Sequence, residues 1–266
     1  MPRLAVLLAV LALAACGDRP EVDVASESTE ADIGASPAAV AIEERIARVE
    51  AQGGTVRRAA FVAIDGVYNS ELVAPYDVFH HTVFRDSLDY IEPFVVSPDG
   101  EPVTTFEGLT VAAHYAYDTA PPADIVVIPS AEHSMDRDLE NDAYMEYLAA
   151  AVAEAEWVVA VCDGAFPLAK TGALDGRVAT TFPADREALA LLFPAVDVRD
   201  DVRLVFDGPY ITSVGGGMSY EPAFWLVERL WGPERVAGNA EGLAWDWTPE
   251  AVPHLVVERR EAGDAS

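Results

Sequence analysis

Three apolar runs in this sequence stop abruptly at residues able to do chemistry. Phe61-Val62-Ala63-Ile64 runs into Asp65-Gly66 and then reaches Glu71. Val126-Val127-Ile128 runs into Pro129-Ser130-Ala131, followed by Glu132 and His133. Val158-Val159-Ala160-Val161 runs into Cys162-Asp163-Gly164. A thiol attacks an electrophilic carbon once its proton leaves, and a carboxyl can take and return that proton. Backbone N–H groups at a tight turn can hold the negative charge that develops.

Cys162 lies where a predicted buried strand turns into a helical pattern. A sharp strand-to-helix turn would present the sulfur at the sheet edge, and Gly164 suits so crowded a turn. The N–H groups of the following helix would favour thiolate and lower its pKa. The competing reading is a buried structural cysteine, a small hydrophobe with no chemistry. Histidines offer a weak supporting cast. His133 follows a site-forming strand and is an accessory candidate. His80 and His81 share a helix after Pro75, and at most one can face a site. His114 and His254 read as structural or surface residues. No His, Cys, Asp and Glu grouping has metal-ligand spacing, so neither a metal nor another cofactor is expected. Gly215-Gly216-Gly217 lacks the spacing of a dinucleotide fingerprint and reads as close backbone packing near the pocket.

The remaining cysteine belongs to a different story. Leu4 to Ala15 is an unbroken apolar run behind Arg3, too short to span a membrane and suited to a signal core. It ends in Leu13-Ala14-Ala15-Cys16, which resembles the bacterial lipobox. Residues 1–15 are therefore expected to be a lipoprotein signal peptide and Cys16 the lipidated first residue of a membrane-anchored protein facing the periplasm or cell exterior. With Cys16 lipidated, Cys162 has no disulfide partner, because the chain has 2 cysteines. Residues 16–37 are acidic and small and read as a flexible tether. The net charge is -28, with 45 acidic against 17 basic residues, which argues against nucleic acid or an anionic membrane surface as a partner. A solvated, salt-adapted surface is the plainer account of that charge.

Elements that could position the three run ends follow in alternation. Ile42, Ile46 and Val49 mark one apolar helix face before Gly53-Gly54. Strands are expected at RRAAFVAID, YIEPFVVSP, ADIVVIPS, WVVAV and RVATTF, and hairpins at PVTTFEGLTVAAHYA and about Asp207-Gly208. Helices are expected at ELVAPYDVFHHTVFRD, DLENDAYMEYLAAAVAEAE, GAFPLAKTGAL, ADREALALLF and SYEPAFWLVERLWG. Such alternation implies an α/β fold with a mostly parallel sheet and helices on both faces, and sites at the carboxyl ends of its strands. The α/β domain is expected over residues 38–240 with an added N-terminal helix, and residues 241–266 as an irregular tail.

The succession AFVAIDGVYNSELVAPYDVF, DIVVIPS, VVAVCDGAFPLAKTGALDGRVATTFP and DGPYITSVGGGMSYEPAFWLVERLWG resembles the ThiJ/PfpI superfamily, from about residue 57 to 236. The run from Cys162 through LAKTGALDGRVATT is its most specific part. It is similar to the branch of isonitrile hydratase and of the sensor domain of AraC-type regulators. The resemblance implies a flavodoxin-like, class I glutamine-amidotransferase-like single domain. It implies Cys162 as elbow nucleophile and Glu71 as the acid beside it, either donating to the thiolate or taking the thiol's proton. It implies backbone N–H groups of Asp163 and of Ser130 or Ala131 as oxyanion donors.

Three departures stand out. Ser130-Ala131 replaces the Gly-Gly of many relatives. Phe182 stands where relatives often have His. Glu221 is preceded by Ser219-Tyr220, without the histidine of a glutaminase triad. The expectation is a cysteine hydrolase or hydratase acting on a small electrophile. The alternative is a ligand-binding or redox-sensing domain using the same thiol. An α/β-hydrolase would need His254 as its base. Expected partners are a small-molecule substrate or ligand and, through Cys16, a membrane; a homodimer is an open option.

Overall fold

A computed structural model of the chain describes residues 36–258. The signal peptide, Cys16 and the tether up to residue 35 lie outside the described residues. In chain order, helix α1 (Pro37–Glu50) precedes strand β1 (Thr55–Val62), helix α2 (Asn69–His81) and strand β2 (Asp89–Ser97). Short strands β3 (Val103–Thr104), β4 (Thr110–Val111) and β5 (Tyr115–Ala116) lead to β6 (Ile125–Ile128), helix α3 (Asp142–Glu154) and β7 (Trp157–Val161). Then come α4 (Ala165–Lys170), β8 (Val178–Ala179), α5 (Arg186–Leu192), β9 (Asp197–Val198), β10 (Leu204–Asp207) and β11 (Tyr210–Ser213). Helices α6 (Tyr220–Trp231) and α7 (Pro233–Gly242) and strand β12 (His254–Val257) complete the order.

The central sheet has 8 strands in the order β12-β10-β11-β7-β6-β1-β2-β5. Every neighbouring pair is parallel except the β10–β11 hairpin, where Asp207 faces Tyr210. The centre of the sheet is buried on both faces, which is why β6 and β7 read as unbroken apolar runs. Along β1, Ala59 and Phe61 pack with α2, α6 and α7, whereas Val56 and Ala60 pack under α1 and Val62 under α3 and α4. The period of two thus divides one strand between the two faces of the sheet.

Helix α1 buries Ile42, Ile46 and Val49, the face expected from the spacing. It starts at Pro37, and Ser36 caps it: Oγ accepts from the Ala39 N–H at 3.1 Å and donates to the His114 carbonyl at 2.8 Å. The expected strand at RVATTF is reduced to β8, which pairs with β9 outside the central sheet. The expected hairpin at PVTTFEGLTVAAHYA forms as β3 and β4, while Tyr115–Ala116 leaves it to pair with β2.

The C-terminal segment corrects the sequence reading. Residues 241–266 do not form a wholly irregular tail, because His254–Val257 adds a parallel edge strand to β10. Four residues with one apolar stretch are a weak strand signal. Their pairing depends on β10, which is distant in sequence. His254 also fails as a hydrolase base. It is in register with Leu204, which pairs with Ser213, which pairs with Val161, three strands away. At about 4.8 Å per strand it lies roughly 14 Å from the end of β7.

Candidate active site

The carboxyl ends of β1, β6 and β7 are adjacent in the sheet, so the three run ends meet. Cys162 occupies the turn after β7 with φ 57, a left-handed conformation that a non-glycine residue rarely adopts. A short 3-10 turn, Cys162–Gly164, leads into α4. The surroundings enforce this conformation. A Cβ on Gly164 would sit 2.0 Å from the Ile128 carbonyl oxygen, and one on Gly215 would sit 2.3 Å from the Cys162 Cβ. The elbow is thus pressed between the end of β6 and the glycine loop after β11. Gly215-Gly216-Gly217 is where the sequence reading placed it, against the pocket.

Glu71 enters from the first turn of α2 and is 3 % exposed. Its Oε2 accepts from the Ser130 N–H at 3.1 Å and the Ser130 hydroxyl at 2.6 Å, and its Oε1 accepts from the Gly216 N–H at 3.3 Å. These donors favour the carboxylate, but burial outweighs them and raises the Glu71 pKa. Oε2 is filled by two donors. Oε1, with one long bond, has the capacity left to share a proton with the thiol. Burial first, then the charges of Glu71 and Asp163, push the Cys162 thiol up. The sequence reading expects a lowered thiol pKa from a helix N-terminus. The structure reverses that direction, because a 3-10 turn and a 6-residue helix cannot offset desolvation and two carboxyls. Thiol and carboxyl are therefore both biased toward their neutral forms.

The expected oxyanion donors are largely engaged. The Ser130 N–H is held by Glu71, and the Ala131 N–H donates to Ser134 Oγ at 2.8 Å. The Asp163 N–H remains at the elbow. Its side chain leads elsewhere: Oδ1 accepts from the Thr181 hydroxyl at 2.9 Å, and that hydroxyl also lies 2.9 Å from the Cys162 carbonyl. Burial first, with the neighbouring charges of Asp185 and Glu71, lifts the Asp163 carboxyl to about 7. Phe182, beside Thr181, is 41 % exposed and supplies no proton-transfer group.

The structure does not bring His133 to the thiol. Its ring lies 3.4 Å from Asp136 Oδ1 and 3.7 Å from Glu132 Oε2, in the loop after β6. His114 accepts the Val95 N–H at 3.0 Å and burial lowers its pKa; His81 contacts Asp77. Glu221 pairs with Arg203 at 3.0 Å, so its carboxyl is directed away from glutaminase duty. Among the described residues no group of three His, Cys, Asp and Glu side chains is arranged to hold a metal ion. Sequence reasoning missed Thr181, Asp185 and Tyr68. The burial of Tyr68 and the charges of Glu71, Cys162, Asp163 and Glu132 raise the pKa of its phenol.

This geometry, an elbow thiol beside a buried glutamate at the ends of adjacent parallel strands, coincides with a sequence-level match. The profile of the DJ-1/PfpI family matches residues 57–229. The chain belongs to the DJ-1/PfpI family. Isonitrile hydratase of Pseudomonas putida is 28% identical over 172 residues, which is 65% of this chain and 71% of that protein. The dj-1beta protein of Drosophila melanogaster is 32% identical over 120 residues, 45% of this chain and 63% of that one. A THiJ/PfpI family protein from Pseudomonas syringae has the same fold at TM-score 0.65 and 22% identity, covering 74% of this chain and 78% of its own. An AraC family transcriptional regulator from Pseudomonas putida superposes at TM-score 0.61 and 20% identity, over 70% of this chain and 99% of its own. The DJ-1/PfpI domain thus accounts for the flavodoxin-like sheet with helices on both faces.

Proposed function

We propose that the protein is a cysteine-dependent hydratase or hydrolase acting on a small electrophile, with Cys162 as nucleophile and Glu71 as its proton partner. The observation that carries this reading is a strained elbow thiol at the end of β7 beside a buried carboxyl that accepts three hydrogen bonds. With an isonitrile, the class named for the Pseudomonas putida relative, Sγ bonds to the terminal carbon. The thiol proton, carried by Glu71, reaches that same carbon and leaves a thioimidate, Cys162–S–CH=N–R. Water then adds across the C=N bond, placing its hydroxyl on carbon and its proton on nitrogen. The C–S bond breaks, the formamide R–NH–CHO leaves, and the hydroxyl proton returns through Glu71 to Sγ. The neutral resting pair suits this cycle, because the proton needed on carbon is already in the site.

The test is incubation with n-butyl isonitrile and with p-nitrophenyl acetate, following formamide and nitrophenolate. Wild-type turnover that disappears in Cys162→Ala supports the reading; turnover equal in the two proteins refutes it. A second reading, a ligand-binding or redox-sensing domain using the same thiol, is favoured by the engagement of the Ser130 and Ala131 N–H groups. Sulfenic acid on Cys162 at low peroxide, with neither substrate consumed, would decide for it. The Leu13-Ala14-Ala15-Cys16 sequence supports a lipid-anchored protein outside the cytoplasmic membrane.

A further inference from the structure

Two residues beyond β6, Ser130 is fully buried and gives Glu71 two hydrogen bonds at once. Its N–H donates to Oε2 at 3.1 Å, and its hydroxyl donates to the same oxygen at 2.6 Å. Glycine at this position would leave only the first of these bonds. The Ser130 carbonyl accepts the Tyr68 N–H at 3.1 Å, just before α2. On the other side, a Cβ on Gly164 would lie 3.3 Å from the carbonyl carbon of Pro129, to which the Ser130 nitrogen is bonded. Ser130 is thus wedged between the elbow and the helix that carries the carboxyl.

A neutral carboxyl has one carbonyl oxygen, which accepts hydrogen bonds, and one hydroxyl oxygen, which carries the proton. Two donors converge on Oε2, which marks it as the carbonyl oxygen. The proton then belongs on Oε1, which faces the Gly216 N–H at 3.3 Å, beside the Gly215 that abuts Cys162. Without the Ser130 hydroxyl each oxygen would have a single N–H donor, and nothing would separate them. The titratable groups around Glu71 are Cys162 and Asp163 at the elbow and Tyr68 before α2, while Glu221 on α6 is paired with Arg203. All of them stay in place when the hydroxyl is removed.

We propose that Ser130 is a positioning residue, whose hydroxyl fixes the acid proton of Glu71 on Oε1, the oxygen on the elbow side. Its role in turnover rests on Cys162 being a nucleophile with Glu71 as proton partner. In the attack on an isonitrile, Sγ bonds to the terminal carbon and one C–N π pair moves to nitrogen. The lone pair of that carbon takes the proton from Oε1, and the thiol proton refills Glu71. Between the two transfers Glu71 carries negative charge, and the bond from the Ser130 hydroxyl strengthens. An interaction that grows as charge develops acts on kcat rather than on KM.

The experiment is an infrared pH titration of wild type and Ser130→Ala, with the C=O band of protonated Glu71 isolated by subtracting the Glu71→Gln spectrum. Ser130→Gly lacks the same hydroxyl and should give the same result; thermal melts check the fold of each. Losing a donor to the carbonyl oxygen should move the band to higher wavenumber. Losing a donor to the carboxylate should raise the midpoint of its disappearance by about 1–2 pH units. With n-butyl isonitrile, kcat should fall by about 10–10²-fold while KM stays within about twofold. An unmoved band and midpoint overturn the proposal. A fall in kcat with the band unmoved also overturns it, because the hydroxyl would then act on the thiol directly. Unchanged kcat in the variants, with wild type turning over, sinks the positioning role. Absence of turnover in wild type refutes the nucleophile reading, and the infrared titration alone then decides whether Ser130 holds the proton on Oε1.

Discussion

Gly215→Ala should strain the elbow from outside without touching any reacting atom. The new Cβ would lie 2.3 Å from the Cys162 Cβ, 2.9 Å from its Cα and 3.0 Å from its nitrogen, at φ +71. Carbon atoms prefer about 3.5–4.0 Å, so one side must retreat by more than about 1 Å. The elbow cannot retreat, since Gly164 already abuts the Ile128 carbonyl. The glycine loop must move instead, drawing the Gly216 N–H away from Glu71. Overpacking costs about 1–3 kcal/mol, and a backbone at φ 71 and ψ -152, in a region essentially reserved for glycine, adds at least about 1 kcal/mol for alanine. A loss of about 2–4 kcal/mol in a domain this size lowers Tm by about 4–16 °C. Gly217 has no atom within 4 Å of its added Cβ and no positive φ, so Gly217→Ala is the matched control and should leave Tm unchanged. Melts followed by circular dichroism, with iodoacetamide labelling of Cys162 beside them, read both effects. If Gly215→Ala melts within about 1 °C of wild type and labels at the same rate, the elbow is not held by this contact, and the argument from crowding is wrong.

Asp163 makes a prediction about pH. Its carboxyl is lifted from 3.8 to about 7, so the folded state binds a proton more tightly than the unfolded chain. The stabilisation is full below about pH 4 and is lost as pH rises toward 7. The rise corresponds to about 4 kcal/mol, and solvent at this partly exposed group reduces it to about 2 kcal/mol. Asp163→Asn should therefore flatten the fall in denaturant-derived stability between about pH 4 and 8. An unchanged pH slope in the variant would remove Asp163 as its source. For the N-terminus, Cys16→Ser should abolish incorporation of a labelled fatty acid and release the protein from the membrane fraction of a bacterial host. Equal labelling of both proteins would discard the lipobox reading.

Much of the domain could be read along the chain because its signals are local. β1, β6 and β7 are short apolar runs ended by turn residues, and α1 repeats its apolar positions at helical spacing; each needs only a few neighbouring residues to be recognised. Cys162 was visible for the same reason, as a polarisable group placed where a buried run stops. The sequence could also point to Glu71 through its likeness to a known succession of motifs. Weak elements escaped. β12 has four residues and β9 two, and the strand expected at RVATTF shrinks to the two residues of β8; their pairing depends on partners elsewhere in the chain.

What only the tertiary structure decided is the chemical state of the site. Ser130 lies 59 residues from Glu71 in sequence and Gly216 lies 145 from it, yet their N–H groups meet one carboxyl. That meeting consumes a donor that the motif alone would leave free. It also gathers thiol and carboxyl where water is scarce, and the thiol pKa rises where the local turn suggests a fall. Tyr68 is unremarkable in sequence, yet the fold ties its backbone both to the Ser130 carbonyl and to the first turn of the helix that carries Glu71. Periodicity and turn chemistry belong to neighbours along the chain, and they determined the elements. Desolvation and hydrogen-bond capacity belong to neighbours in space, and they determined which proton sits where.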